Sequence, residues 1–474
     1  MLSSAAMRRL AALETRLFAV CFVVYSAFFS TNVVREHYPA FSLIDHGNFR
    51  VDEYLGFHSD IFQHSDGHSY IDSNVTTSLF AAVPLLVFDP VLDALERHSK
   101  AQLAAHPEQV DTTYDTKYKN RRAMFRLVKL AGKDLRFGAA TAITSVFLMA
   151  PLCALCVVLL FRFLLGRGVP RERAVGLSLL FAFGTPLFYR AAHLNQNVLL
   201  MAAAFGAFLL LYEPPGKAYD PSLKRRLWAG VLLGFTFAFD YSGAVPAGVI
   251  GLYYVVCRVR EAGVVRGALD SLPVVLGCVP GVGFLLWAQW AQFGNPFTPA
   301  QFVMKAAHYT EEGVRGMGAP SLEIFTKNLI SPGWGLYTFA PVLLLGLIPQ
   351  FGKPDSELIV PHRERILFNA LTILFLLFCA MNRYSLMQFN TGCRYLVVLV
   401  PFIYLQACDT LQHLKPRVLT AITVLAVLHS LVLCMTREVN NTEKKLRERS
   451  VAAGVHEYQL PEYWRTYLTE TPIP

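Results

Sequence analysis

Residues 138–165 read GAATAITSVFLMAPLCALCVVLLFRFLL, and this stretch decides the class of fold. Arg162 is the one charged side chain in it. As an α-helix rising about 1.5 Å per residue, the stretch is longer than the roughly 30 Å hydrocarbon core of a bilayer. Because its apolar residues do not alternate with polar ones, it predicts a membrane-spanning helix and not a strand of a β-barrel.

Similar apolar stretches recur along the chain. Of its 474 residues, 54% are hydrophobic and 16% are charged, whereas soluble domains carry about 25% charged residues. We therefore expect an all-α polytopic membrane protein with about eleven transmembrane helices. The short neighbouring stretches 227–240 and 243–257 are also compatible with a hairpin that does not fully cross. The predicted spans are 17–34, 138–165, 174–190, 196–213, 227–240, 243–257, 271–293, 334–350, 366–381, 394–411 and 418–435.

Positive charge in the loops predicts the orientation of the chain. Lys and Arg are concentrated in alternate loops, as in cytoplasmic loops of membrane proteins, so the net charge of +9 reflects orientation and not nucleic-acid binding. The alternation places residues 35–137, 294–332, 382–393 and 436–474 on the extracytoplasmic side. We expect one transmembrane domain over 1–435, with 35–137 as its large first extracytoplasmic loop and 436–474 as an outer tail.

The apolar residues 79–95 do not fit this orientation as a further span. If they crossed the membrane, the basic stretch 97–137 would lie inside and every later loop would be reversed. We therefore expect 79–95 to form a re-entrant or surface-lying helix, broken at Pro84 and Pro90. The basic stretch after it would lie on anionic lipid headgroups.

The first loop carries many ionisable groups for a chain of this composition. A carboxylate that faces a cavity can take the proton of an acceptor hydroxyl, or it can hold a divalent cation beside a phosphate. A solvated acidic loop is the alternative. The spacing of the histidines is also compatible with zinc, but solvated or hydrogen-bonded histidines fit it equally. The residues are Asp45, Asp52, Glu53, Asp60, Asp66 and Asp72, with His46, His58, His64 and His68 among them.

Other polar residues stand near predicted span ends. Asp240 lies between two short spans, and His308 follows the segment FGNPFTPAQF. Arg394 stands between a polar loop and an apolar helix, on the same predicted side as the acidic loop. A guanidinium in such a place suits a phosphate, and a structural ion pair is the alternative.

Four segments between residues 35 and 405 together resemble a bacterial branch of the C-type (GT-C) glycosyltransferases, similar to dolichyl-phosphate-mannose protein mannosyltransferases. They contain HGNFRVDEY with DGHSY and SLFAAVP, then FAFDYSGAVPAGVIGLYYV, then FGNPFTPAQF with SPGWGLYTFAPVLLLGL, then FNTGCRYLVVLVPF. The resemblance implies a GT-C-like fold in the inner cell membrane. It also implies a hexosyl- or pentosyltransferase that takes a sugar from a polyprenyl-phosphate donor and transfers it, with inversion, on the extracytoplasmic face.

The resemblance also implies roles for individual residues. Asp60 best matches the carboxylate that acts as base, and Asp52 is the second choice. Arg394 and Arg35 would hold the donor phosphate. No cofactor is required, a divalent metal is compatible with the pattern, and the acceptor is a glycan, a lipid or a protein. The remaining residues of the expected substrate cavity are Asp66, Tyr70, Asp240 and His308.

Three departures from the family pattern bear on these residue roles, and two further functions remain as alternatives. Residues 31–34 lack the acidic pair that many relatives carry, Val75 and Thr76 replace a Pro-Gly pair, and residues 195–197 replace a histidine. A transporter or flippase of a lipid-linked sugar is one alternative, although transporters often have internal repeats and none is evident here. A noncatalytic GT-C-like membrane subunit is the other.

Overall fold

The computed structural model describes residues 4–30, 33–58, 60–110, 119–304, 313–332, 335–386, 394–438 and 456–458. Two short antiparallel strand pairs accompany the helices, β1 (Ile61–Gln63) with β2 (Ser69–Ile71) and β3 (Thr436–Glu438) with β4 (His456–Tyr458). The α-helices are α1 (Ser4–Ala27), α2 (His37–His46), α3 (Thr76–Ala105), α4 (Lys119–Leu130), α5 (Asp134–Thr144), α6 (Ala150–Gly166), α7 (Arg171–Phe183), α8 (Pro186–Arg190), α9 (Gln196–Leu211), α10 (Leu223–Phe239), α11 (Ala244–Ala262), α12 (Val264–Phe293), α13 (Ala300–Val303), α14 (Leu322–Ile330), α15 (Leu336–Phe339), α16 (His362–Met381), α17 (Val400–Leu411) and α18 (Pro416–Met435).

Seven helical segments in the described part of the chain are long and apolar enough to cross a membrane. Shorter apolar helices occur at Gln196–Leu211 and Tyr395–Leu411. The expected all-α polytopic membrane protein is therefore confirmed. The seven segments are Leu10–Ala27, Thr76–Ala105, Asp134–Gly166, Tyr241–Ala262, Val264–Phe293, His362–Met381 and Pro416–Cys434.

Two of the predicted spans are not single helices, so these two predictions are wrong. In 174–190, α7 ends at Phe183 and α8 begins anew at Pro186, with the Thr185 hydroxyl capping its first turn. In 334–350, α15 is followed by a separate 3₁₀ segment, Pro341–Leu347. Both breaks precede a proline, which has no amide hydrogen to continue the hydrogen-bond ladder of the preceding helix.

The helix α3 is unbroken through Pro84 and Pro90, so the expected break is also wrong. Neighbouring helices and local adjustments make interior prolines tolerable in apolar helices of membrane proteins. Beyond the prolines, Asp93 of α3 accepts a hydrogen bond of 2.8 Å from Arg136 of α5. The helix α3 therefore runs alongside α5, the first part of the long helical segment that ends with α6.

A close crossing of α10 and α12 fixes the end of α10. Gly230 and Gly234 of α10 face Gly277 and Gly281 of α12, and a Cβ atom on any of the four would overlap backbone atoms of the opposite helix. Small residues four apart allow helix backbones in membranes to approach this closely. The crossing therefore positions α10 against α12, and the predicted site residue Asp240 directly follows the last residue of α10, Phe239.

The basic loops meet at one end of the helix bundle. Arg167, after α6, donates to the carbonyl oxygen of Leu358 at 2.7 Å. Arg363, in the first turn of α16, donates to the carbonyl oxygen of Glu213, after α9, at 2.9 Å. These contacts join loops that are distant in sequence but were expected to share one side of the membrane. The first acidic loop lies at the other end of the same helices.

Candidate active site

The hairpin β1–β2 brings two carboxylates together. Asp60 immediately precedes β1 and Asp72 immediately follows β2, and the pairing of Ile61 with Ile71 sets the two aspartates opposite each other. The backbone amide of Asp72 donates to the carbonyl oxygen of Asp60 at 3.0 Å. The pair therefore forms the base of the hairpin, where the chain enters and leaves it.

Arg35 binds both of these carboxylates. Its Nη1 donates to Oδ2 of Asp60 at 2.9 Å and to Oδ1 of Asp72 at 2.6 Å, and its Nε donates to Oε1 of Glu36 at 3.2 Å. Burial opposes the charged guanidinium, but the carboxylates of Asp72, Glu36 and Asp60 outweigh burial and raise the pKa of Arg35 well above its ordinary value. Arg35 therefore stays charged and holds the segment before α2 to the hairpin.

The two aspartates differ in their environment. The side chain of Asp60 is 25% exposed, whereas that of Asp72 is 9% exposed. Burial raises the pKa of Asp72 to about 7; the charges of Asp60 and Glu36 add to this rise, and those of Arg35 and Arg394 oppose it. Carboxylates in unequal environments can divide the acid and base roles of a reaction.

Arg394 lies at the same site, although it comes from a distant part of the chain. Its guanidinium lies 5.3 Å from the centre of the Tyr395 ring. Its positive charge acts on Asp72 and on His58. Burial is the main cause of the lowered pKa of His58. The positive charges of Arg35 and Arg394 lower this pKa further, whereas the negative charge of Asp60 raises it. The structure thus places Arg394 near Asp72 and His58, at the site where Arg35 binds Asp60.

The other predicted residues of the loop form a second group at the tip of the hairpin. Asp66 accepts from the backbone amide of His68 and from the Tyr70 hydroxyl, both at 2.9 Å. Asp52 accepts from the backbone amide of Ser69 at 2.5 Å and pairs with Nδ1 of His68 at 2.9 Å. Burial by itself would raise the pKa of both carboxyl groups, but these hydrogen bonds outweigh burial and lower it.

The length of the hairpin separates this tip group from the base group. Three residues of extended strand span about 10 Å, so Asp66 lies away from the Asp60–Asp72 pair, and the Tyr70 hydroxyl is directed to Asp66. The side chain of Asp52 is 48% exposed, and its described hydrogen bonds tie it to the hairpin. The structure therefore places the two expected bases, Asp60 and Asp52, in different groups.

Asp240 lies at the end of α10, beside the first turn of α9. Its Oδ2 accepts from Nε2 of Gln196 at 2.7 Å, and its Oδ1 accepts from the backbone amide of Ser242 at 2.8 Å. His308, the remaining predicted residue of the cavity, lies outside the described residues. Asp240 thus accepts hydrogen bonds from the start of α9 and from the residues that follow α10.

The chain that leaves the hairpin joins Asp240 to the carboxylate pair. Nδ2 of Asn74 and the Thr76 hydroxyl donate to the carbonyl oxygen of Ala238 at 3.1 Å and 2.8 Å. Asn74 is two residues from Asp72, and Ala238 is two residues from Asp240. The base of the hairpin, the start of α3 and the end of α10 therefore form one continuous site.

Sequence reasoning gave no role at this site to Glu36 or Asp72. Glu36 directly follows Arg35, whereas many relatives in the resembled family carry their acidic pair before this arginine. A usable signal for Asp72 was the Asp66-Gly67 pair, since such pairs mark hairpin turns. Asp60 and Asp72 are equally distant from Asp66, so a hairpin centred there pairs them.

The guanidinium of Arg35 bridges the two carboxylates. In the described ranges, no three side chains of His, Cys, Asp or Glu are grouped so that they could hold a metal ion. Nη1 of Arg35 lies within 3 Å of both Asp60 and Asp72. A positively charged nitrogen therefore already neutralises the place where a divalent ion would contact both aspartates.

No protein-family model matches the sequence, and no curated protein sequence matches it. Among solved structures, the fold is similar to the crystal structure of ArnT from Cupriavidus metallidurans in the apo state, with a TM-score of 0.48 and 13% sequence identity. The match covers 88% of this chain and 62% of the ArnT chain. The chain thus spans about three fifths of the length of that protein.

Proposed function

We propose that this protein is a glycosyltransferase of the inner cell membrane. It transfers a sugar from a polyprenyl-phosphate donor to an acceptor on the extracytoplasmic face, with inversion at the anomeric carbon. The observation that carries the proposal is the group formed by Asp60, Asp72 and Arg35 with Arg394 beside it. This group lies at the end of the bundle away from the basic loops. The four sequence segments that resemble GT-C enzymes support the same chemistry.

Asp60 is the proposed general base. Inversion by a single displacement requires the acceptor oxygen to attack the anomeric carbon while the bond from that carbon to the phosphate oxygen breaks. Asp60 takes the hydroxyl proton, because its carboxylate is the more exposed of the two and an acceptor can reach it. Asp72 fixes Arg35 and, through Arg35, the orientation of Asp60.

Arg394 and Arg35 are the proposed contacts of the donor phosphate. Among the described residues, the hydrogen bonds of Arg35 use its Nε and Nη1, which leaves Nη2 for a phosphate oxygen. Burial raises the pKa of Asp72, which favours its neutral form and so reduces the negative charge that a phosphate would meet. Guanidinium groups stabilise the phosphate charge that develops as the leaving group departs.

The test uses the full chain reconstituted in vesicles with a labelled polyprenyl-phosphate sugar. Transfer to an acceptor preparation should fall strongly in Asp60→Asn and remain close to wild type in Asp52→Asn. Wild-type rates in both variants would remove the proposed base. Movement of labelled donor across the bilayer without any sugar transfer would instead favour a transporter.

A further inference from the structure

The side chain of His37, the first residue of α2, is buried and makes a contact through each of its ring nitrogens. The backbone amide of Val34 donates to its Nδ1 at 3.2 Å. Its Nε2 lies 3.1 Å from the hydroxyl oxygen of Thr144, the last residue of α5. Since Arg35 lies between Val34 and His37 in the sequence, the ring ties the segment that carries Arg35 to α5.

These contacts are compatible with one neutral form of the ring, with its proton on Nε2. The amide hydrogen of Val34 points at Nδ1, so a proton on Nδ1 would face it. The carbonyl oxygen of Val34 is also 3.2 Å from Nδ1, but it already accepts from the backbone amide of His37 at 3.0 Å. The Thr144 hydroxyl donates to the carbonyl oxygen of Ala140 at 3.0 Å and therefore accepts from Nε2. Burial lowers the pKa of His37 to about 4, which keeps the ring neutral at neutral pH.

Thr144 directly precedes an irregular turn in the long helical segment that contains α5 and α6. The five residues Ser145–Met149 form a π-helical turn between the two helices. Such turns are rare inside α-helices and are frequent at functional sites. Because a π turn changes the direction of the side chains on one side of it relative to those on the other, Thr144 faces His37 while α6 packs against α1.

The packing of α2 on α5 has other anchors besides this contact. At the far end of α2, Arg136 of α5 donates to both carboxylate oxygens of Asp45, at 3.0 Å and 2.9 Å. Between the two ends, the rings of Phe41 and Phe137 stack with their centres 5.6 Å apart. Loss of the His37 contact should therefore affect the segment before α2 more than the docking of α2 itself.

We propose that His37 is a positioning residue that orients Arg35 towards the phosphate of the lipid donor. The inference rests on the proposed function, in which Nη2 of Arg35 contacts a phosphate oxygen. The carboxylates of Asp60 and Asp72 hold Nη1 at the hairpin, and the ring of His37 holds the main chain of the segment at α5. With both its main chain and its guanidinium fixed, Arg35 is ordered before the donor binds, and such preorganisation raises affinity.

Two changes of His37 separate the contacts of the two ring nitrogens. The amide of His37→Asn extends about as far as Nδ1 and can serve Val34, whereas that of His37→Gln extends about as far as Nε2 and can serve Thr144. We expect His37→Asn to weaken the binding of polyprenyl phosphate without a sugar about 10-fold, because the segment loses its link to α5. His37→Gln should weaken it less. The measurement is a titration of the full chain in detergent.

Thr144→Val removes the same contact from the other side. It should weaken the binding of polyprenyl phosphate as much as His37→Asn does, and the double variant should be no weaker than either single one. The matched control is Thr236→Val. Thr236 is as fully buried as Thr144, but its hydroxyl donates within its own helix, to the carbonyl oxygen of Leu232 at 2.7 Å. This variant should bind polyprenyl phosphate like wild type.

A change of Arg35 separates positioning from a general loss of structure. In an Arg35→Lys background, which lacks Nη2, His37→Asn should weaken the binding of polyprenyl phosphate no further. A role of His37 in stability alone would lower the affinity by the same factor in both backgrounds. The unfolding temperature of His37→Asn without lipid should fall only slightly, since the other anchors of α2 remain.

Several outcomes would overturn the inference. Wild-type affinity for polyprenyl phosphate in both His37→Asn and Thr144→Val would do so and leave the proposed function standing. So would a loss of affinity by His37→Asn that is as large in the Arg35→Lys background as in wild type. If His37→Asn does not fold, Thr144→Val provides both comparisons.

The proposed function fails by a different result. A protein that binds polyprenyl phosphate with the expected ranking of variants but transfers no sugar would remove the proposed function and leave the role of His37 in phosphate binding. A wild-type protein that binds no polyprenyl phosphate would remove both.

Discussion

Asp60 and Asp72 face each other across the base of a six-residue hairpin ladder and share one nitrogen, Nη1 of Arg35, at 2.9 Å and 2.6 Å. One carboxylate is a quarter exposed and the other is nearly buried. Two acids held this close, in environments this different, do not titrate alike. This difference underlies the roles proposed for them, Asp60 as base and Asp72 as the residue that positions Arg35.

Replacing Asp60 by Asn should lower the rate of sugar transfer about 100-fold or more, because loss of a general base typically costs a factor of 10² to 10⁴. The measurement is the initial rate of transfer from a polyprenyl-phosphate sugar at saturating donor. Asp66→Asn, at the tip of the same hairpin, is the matched control and should keep most of the activity. If Asp66→Asn lost more activity than Asp60→Asn, the reaction would instead take place at the tip of the hairpin.

Stability should depend on pH through Asp72. Its pKa rises from an ordinary 3.8 to about 7 on folding, so the folded state binds this proton more tightly. The contribution of Asp72 is therefore fully present below pH 3.8 and is lost as the pH rises through 7. Thermal unfolding in detergent should show that Asp72→Asn loses less stability than wild type between pH 4 and pH 7.

Asp52→Asn is the control for this pH dependence, because hydrogen bonds lower the pKa of Asp52. Its contribution has the opposite sign: it is present above the ordinary pKa and is lost as the pH falls through the lowered one. The effect should be small, since the side chain is 48% exposed. An unfolding temperature of Asp72→Asn that follows the wild-type pH dependence would contradict the proposed protonation of Asp72.

Replacing Arg35 by Gln should destabilise the protein by about 3–5 kcal/mol, because it leaves buried carboxylates without their opposite charge. Arg35→Lys should recover only part of this, since one ammonium group does not reproduce the fork that reaches Asp60, Asp72 and Glu36. Denaturant unfolding measures both changes. Adding Asp72→Asn to Arg35→Gln should cost less than the sum of the single changes, and strict additivity would argue against the shared contact.

Replacing Arg394 by Gln should raise KM for the lipid donor about 10-fold or more, because a charged hydrogen bond to phosphate is lost. Arg162→Gln is the control, since Arg162 binds Glu14 between α1 and α6, away from the proposed site. Donor titration of both variants in vesicles makes the comparison. If Arg394→Gln folds normally and its KM for the donor is unchanged, then Arg394 has a structural role and does not bind the phosphate.

Replacing Gly234 by Val should destabilise the bundle by about 2 kcal/mol or more, because its new side chain would overlap the backbone of α12 near Cys278. Gly248→Ala and Gly251→Ala in α11 are the controls. Apart from the backbone of its own helix, a Cβ atom at either position meets nothing within 4 Å, so both changes should be neutral or slightly stabilising. Thermal unfolding of purified protein should separate Gly234→Val from the two controls.

The membrane class and many of the helices were readable from residues 138–165 and the stretches like it, because length and hydrophobicity alone decide whether a helix suits a bilayer. The same reasoning failed at Pro84 and Pro90, which it took as breaks, and at 334–350, which it took as one helix. The composition of a segment indicates whether it lies in lipid or in water. It does not indicate whether neighbouring helices can accommodate an interior proline.

For the candidate site, the sequence alone determined which residues could carry the chemistry: Asp60, Arg35 and Arg394 follow from residue type and from the resemblance of motifs. Only the tertiary structure decided that Asp60 belongs with Asp72 and that Asp52 belongs to the hairpin tip. This grouping depends on strand register and on contacts between residues far apart in the sequence, such as Arg35 and Asp72. Local sequence patterns carry no information on either.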